Sequence, residues 1–392
     1  MALREAQRCE QISKSGDSAR AHWPQVATSH KPLQKSCPAT ARPHRWIAKA
    51  VVGMLLAFFV HVLYTLPPED HVVDSSGKIH FLSLARPRLP LWLALFKSLL
   101  DCFYFALPAY SAADLLATAQ SRTGLHDLGP HAALVKEGMA RLFASMDSEA
   151  RLNNMGKMVF REQMIGMLSG QLHLVDLINK HPEILQENIT APVVIAGLLR
   201  SGTTNLHNLL SASEDFRYLY FYEAAHNLQI NLDTKTSMSD VSEPDPRIAI
   251  TDRELLAFRT AAPMLPLMFN ISATVPFEDI YLESTMFVSS MFEAVHYVPS
   301  YAAWVENADP LIMLRHIKQC LQAMQWVDRQ RHPWQNRPPR PWVIKAPAHI
   351  ERIPQLLEVF PDAVVVVTHR CMIFCLTCNN INVNIHIAVI YF

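Results

Sequence analysis

Residues Pro192–Asn205 read PVVIAGLLRSGTTN, and this stretch decides the fold. Val193, Val194, Ile195 and Ala196 make a short apolar run of the kind a buried parallel strand needs. Gly197-Leu198-Leu199-Arg200-Ser201-Gly202 breaks the run, and Thr203–Leu210 (TTNLHNLL) resumes with helical spacing. Strand, glycine-bounded loop and helix start together form the arrangement in which free backbone N–H groups and the positive end of a helix dipole hold a phosphate. Glycine at both ends lets the chain turn tightly and approach the anion. The spacing equals that of the nucleoside-triphosphate loop G-x-x-x-x-G-K-[ST], except that Thr203 stands in the lysine position and Arg200 puts a cation inside the loop. The missing lysine argues against ATP or GTP chemistry and leaves a kinase or ATPase as the weaker option. The fold class that follows is α/β, a P-loop-like parallel sheet flanked by helices, preceded by an N-terminal membrane anchor described next.

The chain has 392 residues, half of them apolar, enough for a large core. Lys plus Arg and Asp plus Glu are both 35, so no global basic field draws nucleic acid and any anion site is local. The seven cysteines have no framework spacing; only Cys371, Cys375 and Cys378 cluster, without a fourth zinc ligand, so no metal is expected. Residues 1–45 are polar and non-periodic, the composition of a disordered tail. Ala50–Leu66 is an uncharged apolar run at the short limit for crossing a bilayer. Arg42, His44, Arg45 and Lys49 precede it and Glu69 and Asp70 follow. That asymmetry predicts a signal anchor (46–66) with its N-terminus cytosolic, the bulk of the chain luminal, and the membrane as a partner. A buried or interfacial helix is the competing reading of the same run, and a cleaved signal peptide a weaker one. Residues 67–120 read as a stem. Its second apolar stretch, Leu91–Leu107, carries Lys97 and Asp101 on one helical face and is expected as an interfacial or core helix.

Further on, Leu134, Val135, Met139, Leu142, Phe143 and Met146 mark one helix and Met158–Ile178 another. Phe216–Tyr222 (FRYLYFY) is aromatic-rich and reads as a strand, closed by Glu223. Asp309 and Pro310 are a good cap and first residue for a helix whose core stripe is Leu314, Ile317, Leu321 and Met324. Trp342–Ile344 and Ala363–Thr368 read as two more buried strands, ending in Lys345 and in His369-Arg370. Lys345 is a compact cation suited to charge developing on an oxygen, and Arg370 a planar fork suited to phosphate.

The run GLLRSGTT (Gly197–Thr204) resembles the 5′-phosphosulfate loop of sulfotransferases that use 3′-phosphoadenylyl sulfate (PAPS), a broad bacterial and eukaryotic family related to the tyrosylprotein sulfotransferases. TGLHDLG (Thr123–Gly129), HPEIL (His181–Leu185), DPR (Asp245–Arg247), PFED (Pro276–Asp279) and WVIKAPAHI with FPDAVVVVTHR (Trp342–Arg370) are similar to other landmarks of that family, so the resemblance spans residues 121–370. It implies sulfuryl transfer from PAPS to an acceptor hydroxyl on a carbohydrate, protein or small molecule. Arg200, Ser201, Gly202, Thr203 and Thr204 would hold the 5′-phosphosulfate, and Arg370 the 3′-phosphate. Lys345 and Arg200 would stabilise the transferred group. Glu223 would be the base, by resemblance to the Glu just past the corresponding strand of tyrosylprotein sulfotransferases, from which it is displaced by two residues. His349 is the rival base, and PFED is given no chemistry. After Arg370 the family pattern stops: Cys371 follows, and Cys378 stands where members carry a phosphate-binding Ser. Residues 371–392 read as an atypical tail replacing the rest of the domain. The alternative function is therefore an inactive, membrane-tethered sulfotransferase-like binding protein. Two sequons, at Asn188 and Asn270, fit a Golgi or endoplasmic-reticulum lumen.

Overall fold

The apolar run after Pro192 forms strand β1 (Val193–Gly197), with Val194, Ile195 and Ala196 wholly buried. β2 (Arg217–Tyr218), β3 (Trp342–Lys345) and β4 (Val364–Thr368) join it in a sheet of order β2-β3-β1-β4, every neighbouring pair parallel. The computed structural model describes residues 91–102, 110–227, 245–261, 271–331 and 339–370. The tail 1–45, the apolar run Ala50–Leu66 with its flanks and the tail 371–392 lie outside the described residues.

Before the sheet come helices α1 (Leu91–Cys102), α2 (Ala112–Thr123), α3 (Ala132–Ser148) and α4 (Asn154–Lys180). Their ends follow local chemistry. Ser111 Oγ accepts the Asp114 N–H at 3.1 Å and Asn153 Oδ1 the Gly156 N–H at 2.7 Å, each filling an orphan donor of a first turn. After β1 come α5 (Thr203–Ser211) and α6 (Phe221–Ala225), then α7 (Pro246–Ala261), α8 (Ile280–Ser284), α9 (Met291–Val295) and α10 (Pro299–Val305). α11 (Pro310–Arg331) starts as its sequence predicts, Asp309 Oδ1 accepting the Leu311 N–H at 2.9 Å. α12 (Ile353–Val359) links β3 to β4.

Among the described residues two apolar cores result. One gathers α2, α3 and α4 around Met139, Leu142, Phe160 and Met164 and takes in Phe287, Phe292 and Tyr301. The other lies against the sheet, where Val194, Trp342 and Ile344 meet Leu314, Ile317, Leu321 and Met324 of α11, all buried as the stripe predicts.

Two expectations change. FRYLYFY is strand only at Arg217–Tyr218; the chain then turns, and Glu223 sits in the first turn of α6 instead of closing a strand. β4 is not buried: it is the outer strand of the described sheet, with Val364 54% and Val367 53% exposed. The stretch Leu91–Leu107 is helical over Leu91–Cys102 and packs against α4, Asp101 accepting from Lys97 at 3.5 Å and from Asn154 at 2.9 Å. Among the described residues no helix is long and apolar enough to cross a membrane.

Candidate active site

Parallel register brings the site together. Ile195 lies opposite Lys345 and Gly197 opposite Thr368, so the carboxyl ends of β1, β3 and β4 carry the loop 198–202, Lys345 and Arg370 to one edge of the sheet. In open α/β sheets that edge is where ligands bind.

The loop is shaped by two left-handed residues, Arg200 (φ 67°) and Gly202 (φ 101°). Gly202 caps α5 with no side chain bonded to the helix, so the first-turn N–H groups stay available to an anion. A Cβ on Gly202 would meet nothing within 4 Å, which leaves the approach to those amides open. Gly197 is needed for a different reason. A Cβ there would lie 2.2 Å from Thr368 Oγ1 and 2.9 Å from the Thr368 carbonyl oxygen, so the close approach of β4 demands glycine. Ser201 is turned inward. Its N–H donates to the Leu198 carbonyl at 3.1 Å, and its Oγ donates to the same oxygen at 2.6 Å and lies 2.7 Å from Thr368 Oγ1. Expected among the donor ligands, Ser201 instead locks the loop to β4, because both its polar groups are used within the protein. Arg370 Nη1 donates to the Arg200 carbonyl at 3.4 Å, which holds the Arg370 guanidinium against the loop backbone.

Lys345 is 3% exposed, its stem buried at the end of β3. Its ammonium donates to Thr204 Oγ1 at 3.4 Å and forms an ion pair with Glu278 of the PFED segment. Above β3, His207 of α5 is buried; burial, with Lys345 nearby, pushes its imidazole down to about 4, so it is neutral at pH 7.

Glu278 is carried by an irregular segment tied down at both ends. Phe277 N–H donates to the Leu219 carbonyl at 2.8 Å, and the Phe277 ring packs edge-on against Phe221 and Tyr281. Asp279 N–H donates to the Lys345 carbonyl at 3.3 Å. The Glu278 side chain keeps 28% of its surface exposed.

Glu223 takes a different post from the expected base. It is 3% exposed, and its two oxygens accept from Arg217 Nη2 at 2.5 Å and Nη1 at 3.0 Å, with the Tyr220 N–H adding a third bond at 3.0 Å. Arg217 in turn binds Asp328 at 2.9 Å and lies over the rings of Tyr220 and Trp342. Both oxygens of Glu223 are thus taken up by donors of the protein, and the side chain is closed off from solvent. His349, the rival, is wholly buried with Nε2 2.8 Å from Asp279 Oδ2, out of reach of an acceptor. The structure thus carries Arg200, Gly202, Thr203, Thr204, Lys345 and Arg370 to one edge of the sheet with Glu278 beside Lys345, ties Ser201 to β4, and buries Glu223 and His349. No group of side chains suited to a metal ion occurs among the described residues.

Residues 192–381 match the family model Sulfotransfer_3, the sulfotransferase family. Over these residues the chain is similar to that family. Two solved structures agree. Sulfotransferase STF1 from Mycobacterium tuberculosis H37Rv is 25% identical, with a TM-score of 0.53 over 66% of this chain and 67% of its own. Sulfotransferase STF9 from Mycobacterium avium is 24% identical, with a TM-score of 0.57 over 70% and 67%, and bears on the fold alone. No curated protein matches the sequence. Family and fold make this sulfotransferase-type chain a transferase, with sulfuryl transfer as its general chemistry.

Proposed function

We propose that the chain transfers a sulfuryl group from PAPS to the hydroxyl of an acceptor, with Glu278 as general base. The observation that carries this is Lys345, whose ammonium sits between the Glu278 carboxylate and the Thr204 hydroxyl at the start of α5. Bound PAPS supplies the sulfuryl group and a bisphosphate leaving group. Arg200 and the amides of Gly202–Thr204 bind the anion at the loop, and Arg370 binds the 3′-phosphate as a planar fork. Lys345 neutralises charge on the departing oxygen. Glu278, partly exposed and bound through one oxygen, takes the proton of the acceptor hydroxyl, borne by a carbohydrate, protein or small molecule. The membrane tether read from Ala50–Leu66 belongs to the same reading, with the domain in the Golgi or endoplasmic-reticulum lumen. Asn188 of its sequon is exposed, as a glycosylated residue must be.

Thermal melting of the purified chain with adenosine 3′,5′-bisphosphate, beside ATP with magnesium, tests the donor. A ligand at a hundred times its Kd stabilises the folded state by about 2.7 kcal/mol. Stabilisation by the bisphosphate alone is expected; stabilisation only by ATP, or by neither, overturns the proposal. Carbonate extraction and a glycosidase mobility shift test the tether, which release into the soluble fraction would refute.

A further inference from the structure

Behind the Glu278–Lys345 pair lies a buried carboxylate–imidazole contact that touches neither the loop nor solvent. Asp279, next to Glu278 in the chain, and His349, in the turn Pro347–Glu351 after β3, are both wholly buried and meet at 2.8 Å. Burial without partners is costly for either group, so the contact fixes both. The Asp279 N–H also holds the carbonyl of Lys345 itself, at 3.3 Å. The segment bearing Glu278 is therefore fastened to the strand bearing Lys345 through backbone and side chain at one residue. On the far side, Arg352 pairs with Glu283 at 2.6 Å, closing α8 onto the same turn.

The geometry points to Asp279 and His349 as positioning residues: their buried bond holds the Glu278 carboxylate on the Lys345 ammonium. His349 acts through Glu278 and never touches the acceptor, although the sequence offers it as a base. The inference goes beyond the proposed function and rests on it only for the role given to Glu278.

The test measures the reactivity of Lys345. The purified full chain is labelled with trace acetic anhydride, and modification of Lys345 is quantified by peptide mass spectrometry. Lys318, which donates to the Val359 carbonyl at 3.1 Å on another face, serves as internal control. Glu278→Gln frees the amine and raises Lys345 labelling roughly fivefold, the scale of one partly exposed ion pair. His349→Ala is expected to raise it equally, with Lys318 unchanged. His349→Gln, whose Nε2 replaces the donor that faces Asp279, is expected to restore the wild-type value. Asp279→Leu, close in volume, repeats the test should His349→Ala fail to fold. Wild-type Lys345 labelling in folded His349→Ala or Asp279→Leu, or a rise shared by Lys318, overturns the inference. Binding of adenosine 3′,5′-bisphosphate, measured on the same samples, stays within about twofold of the wild type, since the loop is untouched. Its absence from the wild type would overturn the functional reading and leave the labelling ratio to decide the positioning role.

Discussion

Replacing Glu223 by Gln separates a base from a buried structural carboxylate. The Glu223–Arg217 pair is buried on both sides, with two guanidinium contacts at 2.5 and 3.0 Å. Gln keeps the shape but turns an amide N–H toward the guanidinium and leaves Arg217 with only Asp328, itself half-exposed, as a charged partner. Breaking one side of a buried pair costs about 3–5 kcal/mol. For a domain of this size each kcal/mol moves Tm by about 2–4 °C, so Glu223→Gln should melt roughly 6–20 °C lower. Turnover per folded molecule, measured well below that melting point with labelled PAPS, should stay within a few-fold of the wild type. Differential scanning calorimetry and the transfer assay on one preparation give both numbers. An unchanged Tm with turnover abolished would refute the reasoning and return the base to Glu223.

Glu278→Gln should do the reverse, lowering turnover by about 10²–10⁴-fold with little change in bisphosphate affinity, as loss of a general base does; isothermal titration and the transfer assay check it. Gly197→Ala forces a Cβ against Thr368 and should destabilise by about 1–3 kcal/mol, read by urea denaturation. Arg200→Gly and Arg200→Ala should weaken bisphosphate binding alike, while the Gly variant is the more stable by about 1 kcal/mol because it relieves φ 67°. Acid should loosen the fold through His207 and His316, both held by burial near 4 against 6.5 when unfolded. The unfolded chain gains the protons first, so stability is full above pH 6.5 and falls toward pH 4. Between pH 7 and 5 each histidine costs about 2 kcal/mol, and His207→Gln should flatten its share of a pH-resolved melting series.

What could be read from the sequence was what short-range chemistry determines. The loop, β1, β3 and the capped α11 are each specified within a dozen residues: Val-rich runs, Gly197 and Gly202, Asp309-Pro310. FRYLYFY misled because aromatic residues favour strands, while the event that ends the strand is a reach-back from Glu223 to the Tyr220 N–H, and Tyr220 is not a residue that advertises a helix start. Glu278 is not legible in the sequence because its partner, Lys345, lies 67 residues on and meets it only through the tertiary bonds that tie the Phe277–Asp279 segment to the end of β3. A carboxylate in PFED and a lysine at a strand end gave the one available signal. The exposure of β4 was equally hidden, since four consecutive valines look the same in a central strand as at an edge.

The bond between Ser201 and Thr368 also dictates when the anion loop can exist. The two residues are 167 apart in the chain, and Gly197 sits in register with the same threonine. During synthesis the loop's sequence emerges early, yet the strand that shapes it does not. At about 5–20 residues per second, some 10–30 s separate the two. Throughout that interval the nascent chain carries a glycine-rich turn with no wall to lean on, so donor binding cannot help the first half of the domain to fold. The ligand arrives as a reward for completion, and a ribosome stalled before residue 368 would display a chain blind to it.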